Sequence, residues 1–131
     1  SRVHQVIAST DRHGTISMSG REVYVSVLGG ISIGEPAADL PMALAIASAA
    51  SEVPLGSIAA WGEVALTGEV RSVSQADRRR SESRRLGVDR VVEAGAGRGL
   101  YDVFRELGVI PGQSQRRSGL RSVPIGDGAS P

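Results

Sequence analysis

The residues best suited to chemistry in this 131-residue chain are arginines gathered in one short segment. Five of them lie within eight positions: Arg78, Arg79, Arg80, Arg84 and Arg85. All fifteen basic residues are arginine, because the chain has no lysine. A guanidinium group stays protonated at any working pH, so it can bind phosphate or carboxylate groups but cannot act as a general base. The segment therefore indicates recognition of anions.

A helix is predicted to carry these arginines over residues 75–86 and to end at Gly87. At about 100° per residue the five side chains cannot form one narrow stripe. The helix could be a solvated surface with ion pairs through Glu82, a contact with a neighbouring subunit, or a surface that binds DNA phosphates. We expect Arg79 and Arg80 to be exposed and dispensable for folding. No aromatic residue lies among the arginines, so stacking on bases is not expected.

The elements that must position this helix form a predicted α+β domain. Strands are expected at residues 3–8, 22–28, 31–33, 58–64, 69–73 and 90–92. Besides the arginine helix, we expect a helix that begins near Pro36 and Pro41 and runs to Ser51, and another over residues 100–107. A single domain is predicted over residues 1–111, followed by a disordered tail over residues 112–131.

The composition excludes several kinds of site and location. The chain has no cysteine, which excludes disulfides and thiolate metal sites and fits a cytoplasmic protein. His4 and His13 are nine positions apart and lack metal-site spacing, so no metal is predicted. No apolar run reaches the length of a membrane span, and no membrane partner is expected. The chain begins at Ser1, and we expect it to be part of a longer protein.

Charge is distributed unevenly along the chain. Residues 1–70 carry three arginines against seven acidic residues, a net charge of −4. Residues 71–98 carry eight arginines against four acidic residues, a net charge of +4. Opposite charges on two segments favour a head-to-tail contact between copies of the chain.

Two further motifs are Gly34-Glu35-Pro36-Ala37-Ala38-Asp39-Leu40 and the stretch Gly62-Glu63-Val64-Ala65-Leu66-Thr67-Gly68-Glu69-Val70. Together they resemble the peptidase domain of Lon-type proteases, in which a serine is activated by a lysine. The resemblance places the serine position on Ala37 and the lysine position on Asp77. Neither residue can supply a Ser-Lys dyad. Asp39 stands where the proteases have glycine, and a carboxylate there opposes stabilisation of an oxyanion. The resemblance implies a Lon-type fold, with mixed sheets packed against helices, that has no peptidase activity.

The order of motifs is closer still to the Lon-like C-terminal domains of the RadA (Sms) family of bacterial DNA-repair proteins. The shared features are the strand at 22–27 with its Gly-Gly, the Glu-Pro-Ala-Ala-Asp at 35–39, the segment 62–71, and the arginine helix ending in Leu-Gly. The resemblance implies a DNA-dependent ATPase of recombination whose RecA-like motor and zinc segment precede this domain. ATP, magnesium and zinc are expected only there, because this chain lacks a phosphate-binding loop and cysteine.

The partners implied by the resemblance are the motor domain, branched or single-stranded DNA, and further copies of the chain in a hexameric ring. The expected function is a non-catalytic scaffold that contributes DNA contacts through the five arginines. Two alternatives remain: a Lon-like peptidase with a non-standard active site, and an oligomerisation module that does not touch DNA.

Overall fold

A computed structural model of the chain describes residues 2–25 and 34–110. The predicted tail at 112–131 and the predicted strand at 31–33 lie outside these residues, as does the end of the predicted strand at 22–28. The helices are α1 (Arg2–Arg12), a 3-10 turn (Pro36–Ala38), α2 (Asp39–Ser51), α3 (Ala76–Leu86) and α4 (Leu100–Leu107). The strands are β1 (Ile58–Ala60), β2 (Glu63–Val64), β3 (Val70–Arg71) and β4 (Arg90–Val92).

The strands of the described residues pair in two small sheets. β1 and β4 are parallel, with Ala59 opposite Val91, and β2 and β3 are antiparallel, with Val64 opposite Val70. Helices and both kinds of strand pairing share one core, so the predicted α+β class is confirmed.

The central cluster of the core is built from aliphatic side chains around the ring of Phe104. Helix α1 packs against α2, and α4 closes the core with Phe104, which is fully buried. Gly14, in the turn after α1, lies directly against that ring, because a Cβ at this position would be 2.4 Å from a Phe104 ring carbon. The other fully buried side chains include Val6, Ile16, Leu40, Leu44, Leu100, Val103 and Val109.

The first predicted strand, over residues 3–8, is wrong, because this segment is part of helix α1. Val3, Val6, Ile7 and Thr10 recur at three- and four-residue spacing, which brings them to one side of a helix. Val6 and Thr10 are buried, and the Thr10 hydroxyl donates to the Val6 carbonyl one turn earlier at 2.8 Å. The described part of the next predicted strand, residues 22–25, also contains no strand.

The predicted strand over residues 58–64 is divided in two at Gly62. The Gly62 N–H donates to the Ala37 carbonyl at 3.1 Å, and its carbonyl accepts from the Leu40 N–H at 3.0 Å. The backbone therefore leaves one sheet to bond with the start of α2 before it joins the other sheet. The strand predicted at 69–73 is shorter, Val70–Arg71, while α2, α3, β4 and α4 lie where the sequence predicts them.

Candidate nucleic-acid interface

The arginine helix α3 begins after Gln75 and ends at Gly87, which has a φ of +73°. The Gly87 N–H donates to the carbonyls of the last turn, and a residue with a side chain is strained in this left-handed conformation. Ser83 is the buried residue of the helix. Because α3 lacks an apolar face, polar contacts from its arginines must attach it to the rest of the domain.

Arg80 makes the strongest of these attachments. Its Nε donates to one Glu93 carboxylate oxygen at 2.6 Å, and its Nη2 donates to the other at 3.1 Å. The hydrogen bonds with Glu93 raise the pKa of Arg80 above its usual value. Glu93 also accepts from the indole N–H of buried Trp61 at 3.2 Å, and Asp77 accepts from Arg80 at 2.7 Å. Arg80 therefore fastens α3 to the segments that follow β4 and β1.

Arg79 connects α3 to the segment that resembles the protease active site. Its Nε donates to the Ser74 carbonyl at 3.1 Å, and its guanidinium lies 3.6 Å from a Glu35 carboxylate oxygen. The expectation that Arg79 and Arg80 are freely exposed is therefore wrong, since their side chains are 31% and 40% exposed and paired with carboxylates. The carboxylates responsible, Glu35 and Glu93, lie outside the helix and cannot be found from helical spacing.

The opposite side of α3 faces solvent and carries the remaining arginines. Arg85 donates to both Glu82 oxygens, at 2.8 and 2.6 Å. This hydrogen bond, together with the charges of Arg85 and Arg78, lowers the pKa of Glu82. The pairing of Glu82 within the helix is thus as predicted. Arg84 is exposed, and its side chain makes no hydrogen bond or ion pair with any residue that the structure describes.

We define the outer face of α3 as its exposed charged side chains: Asp77, Arg78, Glu82, Arg84 and Arg85. Three arginines oppose two carboxylates, so this face carries a net charge of +1. The five predicted DNA-contacting arginines therefore divide into two that hold the helix and three that face solvent. Arg84 is the most available of them for a phosphate.

The positions that resemble the protease dyad carry neither a serine hydroxyl nor a lysine amine. Ala37 is buried in the 3-10 turn before α2 and presents a methyl group. Asp77 is fully exposed in the first turn of α3 and pairs with Arg80. The Glu35–Arg79 contact brings the two segments next to each other.

Asp39, the first residue of α2, is almost fully buried and bonds across the fold. Arg2 of α1 donates to its Oδ1 at 2.9 Å and to its Oδ2 at 2.6 Å. The Val64 N–H donates to the same Oδ2 at 3.0 Å. Both carboxylate oxygens are thus occupied by donors from α1 and β2. Asp39 joins three elements, a role that its position at a helix start does not reveal.

The two histidines lie on α1 and in the turn that follows it. His4 is exposed on α1, and His13 has its Nε2 2.9 Å from the Leu66 carbonyl oxygen. Within residues 2–25 and 34–110, no group of three histidine or acidic side chains is arranged to hold a metal ion. The same residues contain no helix that is both long and apolar enough to cross a membrane.

Comparison with known proteins gives relatives named DNA repair protein RadA. The chain is 36% identical over 93 residues to DNA repair protein RadA of Escherichia coli (strain K12), a match to 70% of the chain and 20% of that protein. It is 38% identical over 88 residues to DNA repair protein RadA of Mycobacterium tuberculosis (strain ATCC 25618 / H37Rv), covering 66% of the chain and 18% of the relative. It is 32% identical over 93 residues to DNA repair protein RadA of Rickettsia prowazekii (strain Madrid E), and this match covers 70% of the chain and 21% of that protein.

The chain is homologous to DNA repair protein RadA. The resemblance inferred from the motifs is therefore confirmed, and the match is consistent with the C-terminal domain of RadA. The chain spans about a fifth of the length of the curated RadA proteins it matches. No family model matches it.

Proposed function

We propose that this chain is a non-catalytic, Lon-like scaffold domain of a RadA-type DNA-dependent ATPase that acts in DNA recombination and repair. The homology to proteins named DNA repair protein RadA supports the repair role. The order of the motifs supports the Lon-like fold. ATP, magnesium and zinc belong to the motor domain and the zinc segment of such a protein, which we place upstream of this domain. We place the protein in the cytoplasm.

The loss of peptidase chemistry is supported by the side chains at the two dyad positions. A buried methyl group at Ala37 cannot attack a carbonyl, and an exposed carboxylate at Asp77 is not an amine base. The alternative of a peptidase with a non-standard site is tested by hydrolysis of an unstructured protein. Cleavage that is lost on mutation of one serine in the chain would establish that alternative.

The DNA contact is carried by one observation: Arg84 is an exposed arginine without a partner among the described residues. A phosphate group is the ligand that a free guanidinium fork on a DNA-repair protein suits best. Arg78 and Arg85 flank it on the same face, although Glu82 neutralises part of their charge. We assign the phosphate contacts to these three arginines, and the attachment of α3 to Arg79 and Arg80.

Substitution of Arg84 by alanine, matched with the same change at Arg105, tests the contact. Arg105 is an exposed arginine on α4 whose side chain likewise has no partner among the described residues, so both variants remove one free charge. Arg84→Ala should weaken binding to all sequences alike, because phosphates carry no sequence information. It should also lower the slope of log affinity against log salt by roughly 0.7 to 0.9, whereas Arg105→Ala should leave the slope unchanged.

The scaffold role requires that copies of the domain associate, and we propose the hexameric ring that the resemblance implies. The outer face of α3 could contact either DNA or a neighbouring subunit. Measurement of mass in solution for the wild type and for Arg84→Ala distinguishes these two possibilities. If Arg84→Ala binds DNA normally but forms smaller assemblies, the outer face is a subunit contact. The domain is then an oligomerisation module, and the DNA contact is wrong.

A further inference from the structure

Two serines lie inside the arginine run of α3, in the order Arg78-Arg79-Arg80-Ser81-Glu82-Ser83-Arg84-Arg85. Arginines at the positions before a serine are the feature that basophilic serine kinases read, because acidic side chains in their clefts pair with guanidinium groups. Ser81 has arginines at the three preceding positions, and Ser83 has arginines three and four positions before it. By sequence, either serine is a candidate acceptor.

The structure separates the two serines. Ser83 is buried, and its hydroxyl donates to the Arg79 carbonyl at 2.8 Å. Ser81 is exposed, and its hydroxyl makes no hydrogen bond with a described residue. A kinase must hold its acceptor in an open segment. α3 allows local opening because it buries a single residue and is attached mainly through Arg79 and Arg80.

A phosphate on Ser81 would meet three guanidinium groups on the same helix. Arg78 and Arg84 are three residues away on either side, and Arg85 is four residues away, which puts each about 5–6 Å from Ser81 between Cβ atoms. Arg84 has no competing partner among the described residues. The phosphate adds a charge of about −1.5 to −2, so the outer face would change from a net charge of +1 to about −1.

We infer that Ser81 is a phosphorylation site for a basophilic serine kinase, and that its modification switches off the outer face of α3 toward DNA. The second half rests on the proposed function. In the reaction, the Ser81 Oγ attacks the γ-phosphorus of ATP and the Oγ–P bond forms. The bond from that phosphorus to the bridging oxygen breaks, ADP leaves, and the hydroxyl proton passes to the kinase base.

To test the site, the chain is incubated with magnesium, ATP and the catalytic subunit of cyclic-AMP-dependent kinase. This kinase prefers the sequence Arg-Arg-x-Ser. The modified residue is then located by mass spectrometry. We expect one phosphate on α3, at Ser81, lost in Ser81→Ala and kept in Ser83→Ala. A free peptide of residues 74–88 serves as the positive control. Modification of the peptide but not of Ser81 in the folded chain would overturn the site, and so would modification at Ser83.

The consequence is tested with phosphorylated and unmodified chain on duplex DNA over a range of salt concentrations. Occupation of Arg78, Arg84 and Arg85 by the phosphate removes the three assigned contacts, so the salt slope should fall by roughly 2.7. An unchanged slope would overturn the switch. If unmodified chain does not bind DNA, the proposed DNA contact fails. In that case the change in charge of the outer face is tested by cation-exchange chromatography. Earlier elution of the phosphorylated chain than of the unmodified chain supports the change, and unchanged elution refutes it.

Discussion

Replacement of Asp39 by alanine should be one of the most damaging single changes at the segment that resembles the protease active site. The Asp39 side chain is 1% exposed and accepts hydrogen bonds from Arg2 Nε, Arg2 Nη2 and the Val64 N–H. Its removal leaves the buried Val64 N–H without a partner and leaves Arg2 with only its longer contact to Glu63, at 3.5 Å. The charge left behind on Arg2 is partly exposed, so the loss is set mainly by the broken hydrogen bonds and the unpaired N–H and should be about 2–3 kcal/mol of the free energy of unfolding.

The assay is urea unfolding followed by fluorescence of Trp61, the single tryptophan, which is buried beside Glu93. With an m-value of about 2 kcal/mol per M, the loss should move the midpoint by roughly 1–1.5 M. Asp39→Asn should lose less, because one amide oxygen can still accept from the Val64 N–H. Arg2→Ala should lose at least as much as Asp39→Ala, because it leaves the almost fully buried Asp39 carboxylate without its counter-ion.

Asp77→Ala is the matched control, since it removes an aspartate from the first turn of a helix at a fully exposed position. Only the small loss typical of a solvent-exposed ion pair is expected there. An Asp39→Ala midpoint equal to that of Asp77→Ala would refute the reasoning. In that case the carboxylate would be free to serve another role at this segment.

Three further predictions follow from other parts of the structure. Gly68→Ala should destabilise the domain, because Gly68 has a φ of +88° and a Cβ there would be 2.5 Å from the His13 ring; thermal unfolding measures the loss. Restoration of the dyad by Ala37→Ser with Asp77→Lys should give no efficient peptidase, because position 77 is fully exposed and burial cannot lower the lysine pKa there; robust cleavage of an unstructured protein would contradict this. Light scattering should find self-association that weakens with salt, whereas a monomer at high concentration and low salt would argue against association by this chain alone.

The elements that the sequence located well are those with local boundary signals. α3 and α4 end at Gly87 and Gly108, each in the left-handed conformation that glycine favours, and α2 begins beside prolines. The segment at 3–8 has no such signal and is short enough for its valines to fit a strand as well as a helix. Tertiary packing decides between these alternatives: the side of α1 that carries Val6 is buried against α2.

The contacts that hold the site together could not be predicted either, because the residues that form them are distant from one another in the sequence. Asp39 lies 37 residues from Arg2 and 25 from Val64, so no local pattern around Asp39 predicts its ion pair with another element. Glu93 is 13 residues from Arg80, and it links the arginine helix to Trp61 in the core. Helical periodicity relates a residue only to others on the same helix.

Arg80 and Arg84 show why a run of like charges must be weighed against the carboxylates that the fold brings to it. Both are arginines on α3, one turn apart, yet Arg80 donates two hydrogen bonds to Glu93 along one edge of its guanidinium, and Arg84 has no partner among the described residues. What remains on the outer face is a net charge of +1, too little for tight binding by one copy. If the proposed ring forms, each copy adds its own weak contact to the same DNA, and the contacts reinforce one another through effective concentration. The scaffold role and the DNA contact are therefore expected to depend on each other, and loss of assembly should weaken DNA binding even with every arginine in place.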